Sequence, residues 1–247
     1  MATIVCKGTI FNKIEAIIFD KDGTLENSQF FLTKLAQVRI DEIEARIPGM
    51  ASELTKVFGI KHNALDPAGL TAVGSRQENE LATAACIVKT GCGWFTAKQI
   101  VNEAFVAASQ LVVRDANTSP LFVGCLPVLK TLAQAKVKLG ILSADSTAGV
   151  RNFIERSHLS EYIELAMGVD DEINKPDPRL FVRACQAMSV NPHSTLMVGD
   201  SLGDIAMATA AKAAGTIGIS WDNNTVLTAA NVTISNLSEI QILNSSN

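Results

Sequence analysis

The stretch IEAIIFDKDGTL, residues 14–25, joins an apolar run to an acidic turn and is the strongest indication of the fold. It begins with Ile14 to Phe19, a continuous apolar run of the kind that forms a parallel strand buried on both faces. The run ends at Asp20, and Asp22 follows just before Gly23, which lets the chain turn sharply. Ligands of open α/β sheets bind beyond the carboxyl ends of the strands. We therefore expect both carboxylates to lie where a ligand would bind.

Short apolar runs recur later in the chain and alternate with helical stretches. The strand-like runs are Val137 to Leu142, Ile163 to Met167, Thr195 to Val198, Thr216 to Ile219 and Val232 to Ile234. The helical stretches are Cys125 to Lys136, Thr147 to Ser157, Pro178 to Met188 and Leu202 to Ala213. Strands and helices that alternate at this spacing predict an α/β fold, with a parallel sheet covered by helices on both faces.

Residues 26–118 interrupt this alternation, because no strand-like run is visible there and the helical period dominates. The pattern Thr96-x-x-Gln99 has the form of a capping box and predicts the start of one helix. We therefore expect two domains. Residues 1–25 and 119–247 would form the core domain, and residues 26–118 would form a helical domain inserted after the first strand.

Bulk composition excludes several functional classes. Hydrophobic residues make up 47% of the chain and charged residues 19%, which are globular values. The net charge of -4 and the absence of a Lys/Arg run speak against a nucleic-acid partner. We see neither a secretory signal nor an apolar run long enough to cross a bilayer. The five cysteines are scattered and lack C-x-x-C spacing, which favours reduced thiols. We expect a cytoplasmic protein, whose oligomeric state the sequence does not indicate.

Three further strand ends add polar groups to the same edge of the sheet. Ser143 follows the second run, Lys175 follows the third, and Asp200 and Asp204 follow the fourth. Each residue alone has a simpler explanation, such as a helix cap or a solvated surface charge. Together, in this order and at one edge, they predict a single polar site.

These motifs resemble those of the haloacid dehalogenase-like hydrolase superfamily. The similar segments are DKDGTL (residues 20–25), ILS (141–143), KPDPRLF (175–181) and GDSLGD (199–204). The resemblance implies a Rossmann-like parallel-sheet core with a helical cap inserted after the first strand, in the phosphoglycolate phosphatase-like branch. Two residues depart from the family pattern: Lys21 stands where an apolar residue is more usual, and Ala144 stands where Asn is often found.

The resemblance also implies a mechanism. Asp20 would attack phosphorus and form an aspartyl-phosphate, while Asp22 would act as general acid and then as general base. Ser143 would donate a hydrogen bond to a transferring oxygen, and Lys175 would neutralise the charge that develops there. Asp22 two positions after the nucleophile points to phosphate-ester chemistry, either hydrolysis or a phosphomutase variant.

Carboxylates that converge on one edge repel each other unless a cation joins them, and ligands that are all oxygen favour Mg²⁺. By resemblance, the side chains of Asp20 and Asp200 and the backbone carbonyl of Asp22 would bind the ion. Asp204 would join them directly or through water.

The expected partner is a small phosphorylated metabolite. Gly23, Thr24 and Ala144 are candidates for binding it beside the catalytic residues. In the helical insert, Arg76 is a further candidate, because a guanidinium suits a substrate carboxylate or phosphate. The alternative is that Ser75 caps a helix and Arg76 is solvated.

Two other classes compete with the phosphatase. Gly199 to Gly203 fits the G-x-S-x-G pattern of serine esterases, but no histidine follows Ser201, because the last one is His193. This reading is disfavoured. A phospho-receiver or metal-binding module without turnover would use similar acids, a hydroxyl and a lysine, and stays open as an alternative.

Overall fold

The structure is a computed structural model that describes residues 1–62, 64–170, 172–221 and 227–243. It divides into two compact units. One comprises Met1–Asn27 and Leu121–Asn247, and we call it the core unit. The other comprises Ser28–Pro120, and we call it the helical unit.

The strands and helices, numbered in chain order, have the following bounds. The strands are β1 (Ala2–Cys6), β2 (Thr9–Ile14), β3 (Ala16–Phe19), β4 (Ile60–Lys61), β5 (Ala64–Leu65), β6 (Lys138–Leu142), β7 (Leu165–Met167), β8 (Thr195–Gly199), β9 (Gly215–Ile219), β10 (Val232–Ile234) and β11 (Ile240–Ile242). The α-helices are α1 (Gln29–Arg46), α2 (Ala51–Val57), α3 (Leu70–Val73), α4 (Arg76–Val88), α5 (Trp94–Leu111), α6 (Cys125–Gln134), α7 (Thr147–Arg156), α8 (Pro178–Ala187) and α9 (Leu202–Ala210).

A parallel sheet with the strand order β10-β9-β8-β3-β6-β7 forms the centre of the core unit. Strand β3 lies in its middle, where Phe19 pairs with Val198 on one side and with Ile141 on the other. The predicted α/β fold with a parallel sheet is therefore confirmed. The register also aligns the ends of β8, β3 and β6, so the residues that follow these strands emerge at one edge.

Two hydrophobic clusters cover the two faces of this sheet. Alternate residues of β3 point to opposite faces, so Ile17 packs in one cluster and Ile18 in the other. The first cluster includes Phe153 of α7, and the second includes Phe181 of α8. Burial on both faces explains why β3 carries an unbroken apolar sequence.

The core unit also contains an antiparallel sheet of order β11-β1-β2, which the sequence reading did not predict. Lys7 and Gly8 connect β1 to β2 and have φ angles of 46° and 81°, as a tight hairpin turn requires. Ile14, expected to open the first core strand, instead ends β2, and β3 begins at Ala16. Strand β11 pairs with β1 from the far end of the chain, and such long-range pairing leaves little local signal.

The helical unit has its own hydrophobic core. Ile43 of α1, Leu54 of α2, Ile87 of α4 and Phe105 of α5 are completely buried in it. Strands β4 and β5 form a short hairpin in this unit, so the expectation of a segment without strands is wrong for these residues.

The capping box predicted for the last helix of this unit is also wrong. Gly93 is the N-cap of α5, and the helix has already begun at Trp94, which leaves Thr96 inside its first turn. Gly93 makes no side-chain capping bond, because it has no side chain to offer. Across the part of the chain that the structure describes, no helix is both long and apolar enough to cross a membrane.

Candidate active site

The predicted polar residues follow the ends of the central strands. Asp20 follows β3, and its backbone N–H donates to the Val198 carbonyl of β8 over 2.8 Å. Ser143 follows β6, and its N–H donates to the Met167 carbonyl of β7 over 3.1 Å. Because the ladder of hydrogen bonds continues one residue past the strands, the sheet itself sets where these side chains emerge.

Three carboxylates meet at this edge. Asp20, Asp200 and Asp204 each offer an oxygen, and these three oxygens lie within 4.8 Å of one another. Asp20 and Asp204 are buried, and Asp200 is partly exposed. Burial raises the pKa of both Asp20 and Asp200, and the charges of the neighbouring carboxylates raise it further. We call these three residues the carboxylate cluster. Its charged form needs a compensating cation.

Lys175 supplies one such cation. Its Nζ lies 2.5 Å from Asp20 Oδ1 and 2.6 Å from Asp204 Oδ1, and its side chain is almost completely buried. Burial lowers the pKa of Lys175, but the carboxylates of Asp20 and Asp204 outweigh that effect and raise it above its ordinary value. Lys175 therefore stays charged, and it joins the first and fourth predicted motifs directly.

One lysine does not balance three carboxylates, so the cluster has room for a further positive charge. Its donors are all oxygen atoms, which hard divalent cations such as Mg²⁺ prefer, and it is largely shielded from water. The residues present therefore fit a divalent metal ion.

The turn after β3 brings the first motif against Asp200. Gly23 has a φ of +80°, and a Cβ atom there would overlap the Asp200 carboxylate, so this position requires glycine. Thr24 Oγ1 donates to Asp200 Oδ1 over 3.3 Å. Trp221 closes the turn from outside by donating from Nε1 to the Gly23 carbonyl over 3.1 Å. Gly23 and Thr24 thus position a carboxylate, and their predicted contact with substrate stays a prediction.

Helix α9 presents Asp204 to the cluster. Ser201 is the N-cap of this helix and forms a capping box with Asp204. The Ser201 hydroxyl donates to Asp204 Oδ2 over 2.6 Å, and the Asp204 N–H donates back to Ser201 Oγ over 3.2 Å. Gly199 completes this packing, since a Cβ atom there would overlap the Asp204 side chain. The Ser-x-x-Asp spacing of Ser201 and Asp204 was the sequence signal for this capping role.

Ser143, the last residue of the second motif, is buried. Its Oγ accepts a hydrogen bond from the Asp145 backbone N–H over 3.1 Å. Because the Ser143 oxygen is the acceptor in this bond, the Ser143 hydroxyl can still donate its hydrogen to another group. Ala144, a predicted substrate contact, follows it and is partly exposed.

The Asp22 carboxylate is directed to Lys21 and is not a member of the carboxylate cluster. Lys21 Nζ lies 2.9 Å from Asp22 Oδ2 and 2.6 Å from Asp145 Oδ2. Glu26 Oε2 lies 3.9 Å from the same nitrogen, and Glu26 also pairs with Arg156. We call these five residues the Lys21 network. The sequence patterns did not predict this network, and its one signal was Lys21 directly after Asp20, where an apolar residue is usual.

Arg76 lies in the helical unit at the start of α4. Its Nε is 2.7 Å from Glu80 Oε1, and its side chain is about half exposed, at 49%. Ser75 caps the same helix in a capping box with Glu78. The local geometry therefore matches the simpler alternative of a helix cap followed by a solvated arginine, and a substrate contact of Arg76 stays a prediction.

Comparison with known proteins points to one family. Residues 14–212 match the sequence model of the haloacid dehalogenase-like hydrolases. The phosphoglycolate phosphatase of Shigella dysenteriae serotype 1 (strain Sd197) is 29% identical over 231 residues, covering 87% of this chain and 84% of that protein. The phosphoglycolate phosphatase of Escherichia coli (strain K12) is 26% identical over 219 residues, with the same coverage of 87% and 84%.

Solved structures share the fold. A predicted phosphoglycolate phosphatase from Haemophilus somnus 129pt superposes with a TM-score of 0.70 at 19% identity, covering 92% of this chain and 96% of that one. A β-phosphoglucomutase from Clostridium difficile superposes with a TM-score of 0.64 at 19% identity, covering 92% and 93% of the two chains.

Proposed function

The chain belongs to the haloacid dehalogenase-like hydrolase family, and from this premise we propose that it is a Mg²⁺-dependent hydrolase of small phosphate monoesters. The observation that carries the proposal is the buried carboxylate cluster with Lys175 bound to two of its members. In phosphoryl transfer to a carboxylate, two anionic groups must approach each other. A lysine and a bound cation beside the carboxylates would reduce their repulsion.

We propose that Asp20, Asp200 and Asp204 hold the metal ion. The backbone carbonyl of Asp22 would add a fourth ligand, as the family resemblance implies. When bound there, Mg²⁺ would reduce the repulsion between an anionic nucleophile and an anionic phosphate.

The proposed reaction consists of two displacements at phosphorus, in which Asp20 and Asp22 have different roles. In the first, an oxygen of Asp20 bonds to phosphorus, the ester P–O bond breaks, and Asp22 gives its proton to the departing alkoxide. In the second, Asp22 takes a proton from water, the water oxygen bonds to phosphorus, and the bond to Asp20 breaks. The products are an alcohol and inorganic phosphate, and both carboxyl groups return to their starting state.

Lys175 and Ser143 would stabilise charge during both displacements. Lys175 already holds Asp20 through Oδ1, so it orients the nucleophile and places a positive charge beside the transferring oxygens. The Ser143 hydroxyl, whose oxygen accepts from the Asp145 N–H, would donate its hydrogen to one of those oxygens.

Phosphate esters with a short carboxylate- or hydroxyl-bearing tail are the substrate class that we favour. The relatives aligned over most of this chain are phosphoglycolate phosphatases. A phosphomutase of the same fold is supported only by structural similarity at 19% identity, and it is the second candidate. We propose that the helical unit is the cap domain of this family and that the protein acts in the cytoplasm.

Phosphate release provides the direct test. The purified protein is assayed on p-nitrophenyl phosphate and on a panel of small alkyl phosphates, with Mg²⁺ and with a chelator. We expect release that depends on Mg²⁺ and that falls more than about 1,000-fold in Asp20→Asn, because the nucleophile is lost.

Asp177→Asn is the matched control for that variant. It removes a carboxylate from the third motif, but Asn still caps α8, so turnover should stay near that of the wild type. Near-wild-type turnover in Asp20→Asn would refute the mechanism. A stable phosphorylated protein without phosphate release would instead favour the receiver module.

A further inference from the structure

Lys21 is an unusual residue for its place in the fold. It follows Asp20 directly, and its side chain is completely buried in the core unit. A buried ammonium group is costly unless it is paired and hydrogen-bonded. Lys21 meets that requirement with three carboxylates: Asp145 at 2.6 Å, Asp22 at 2.9 Å and Glu26 at 3.9 Å.

Two of these carboxylates are anchored from other elements. Asp145 lies in the loop between β6 and α7, and its second oxygen accepts from the Ser146 N–H over 2.7 Å. Glu26 is completely buried, and it pairs with Arg156 at the end of α7. The Lys21 ammonium is therefore held in place by two fixed acids.

Asp22 is the member of the network to which the proposed mechanism gives a chemical role. Its side chain has an exposed fraction of 17%, whereas those of Lys21 and Glu26 are 0%. The contact from Lys21 Nζ to Asp22 Oδ2 therefore joins a buried charge, which also contacts Asp145 and Glu26, to an accessible carboxyl group.

We propose that Lys21 is a positioning residue that orients Asp22 for general acid–base catalysis. The Lys21 ammonium contacts Asp145 and Glu26, and its contact with Asp22 fixes the orientation of the Asp22 carboxyl group relative to them. The proposal rests on the proposed function, because it assumes that Asp22 is the proton donor and acceptor. It also explains why this chain carries a charge where an apolar residue is usual.

The proposal predicts a dependence on the leaving group. Departure of an alkoxide needs a proton from Asp22, whereas p-nitrophenolate is a stable anion that leaves without one. Misplacing Asp22 should therefore slow phosphoryl transfer from an alkyl phosphate but not from the aryl ester. Hydrolysis of the phosphorylated Asp20 still needs Asp22 as base, so kcat for the aryl ester should fall while its kcat/KM does not.

The experiment compares Lys21→Met with Asp22→Asn on a primary alkyl phosphate and on p-nitrophenyl phosphate, both with Mg²⁺. We expect Lys21→Met to lower kcat/KM for the alkyl ester by about 10- to 100-fold and that for the aryl ester by less than about threefold. Asp22→Asn should show the same selectivity with a larger loss. Lys21→Arg, which keeps the charge, should recover part of the alkyl activity.

Two further variants keep the test decisive. Lys7→Met removes a paired but exposed lysine from the same unit and should change neither rate. Asp145→Asn loosens the anchor of Lys21 without emptying the network, so it replaces Lys21→Met if that variant does not fold. It should reproduce the selective alkyl loss to a smaller extent.

The outcomes separate this inference from the proposed function. Equal loss of kcat/KM on both esters in Lys21→Met, or no loss on either, overturns the positioning role while the phosphatase proposal stands. Absence of Mg²⁺-dependent hydrolysis in the wild type, or full activity in Asp20→Asn, overturns the proposed function itself.

Discussion

Two buried lysines, Lys175 and Lys21, lie at the same edge of the sheet among different numbers of positive charges. In the carboxylate cluster, one lysine faces three carboxylates. In the Lys21 network, Lys21 and Arg156 together face three. The first region therefore has two negative charges in excess, which a divalent cation could offset, whereas the second has one. Similar residue types thus form a cluster that fits a divalent cation in one place and a set of paired charges in the other.

The largest expected effect concerns the stability of the network. Lys21→Met leaves buried carboxylates without their cation, so we expect the free energy of unfolding to fall by about 3–5 kcal/mol. Lys7→Met, which removes an exposed pair, should cost at most about 1 kcal/mol. Denaturant unfolding of both variants measures the difference.

Added Mg²⁺ should affect the stability of variants in the two regions differently. It should leave the loss in Lys21→Met unchanged but reduce the loss caused by Lys175→Met, because a bound cation would replace the missing ammonium only in the carboxylate cluster. Equal responses of the two variants to Mg²⁺ would show that the distinction between the regions is wrong.

The next effect concerns where the metal binds. Asp200→Asn removes one proposed metal ligand of the carboxylate cluster, so we expect the Mg²⁺ concentration for half-maximal activity to rise at least about 100-fold. Asp145→Asn is the matched control, since it removes a carboxylate from the Lys21 network and should leave that concentration nearly unchanged. A titration of activity against Mg²⁺ measures this concentration for both variants. A larger rise in Asp145→Asn than in Asp200→Asn would indicate that the metal binds in the Lys21 network.

The smallest effect concerns Ser201, which caps α9 and holds Asp204. Ser201→Ala should lower the free energy of unfolding by about 1 kcal/mol, through loss of the cap. Turnover should stay within about tenfold of the wild type, because Asp204 keeps its contact with Lys175. Complete loss of activity with an intact fold would instead support the serine esterase hypothesis, in which Ser201 is the nucleophile.

Much of the fold could be predicted from local patterns. The apolar runs and the helices between them match the observed strands of the central sheet and their helices to within about three residues. The predicted α/β fold and the predicted family are confirmed. The terminal antiparallel sheet was not predictable in this way, because β1 pairs with β11 from the other end of the chain.

The candidate site shows the same division. Asp20, Lys175, Asp200 and Asp204 were predictable because each follows a strand-like run in a recognisable motif, and the structure brings their side chains together. The partners of Lys21 were not, since Asp145 is 124 positions away and the contact depends on how two loops meet. The expected capping box at Thr96 failed because helix α5 begins earlier, after Gly93.

Local sequence patterns are enough to predict which strand ends carry acids, a hydroxyl and a lysine, because burial on both faces of a parallel sheet requires an apolar run before each of them. The pairing of those charges depends on the folded chain. In the structure, Asp20 and Asp204 pair with Lys175, and Asp22 pairs with Lys21. The reason is physical: a buried charge must find a partner, and which partner lies within reach is set by loops that meet only in the folded chain.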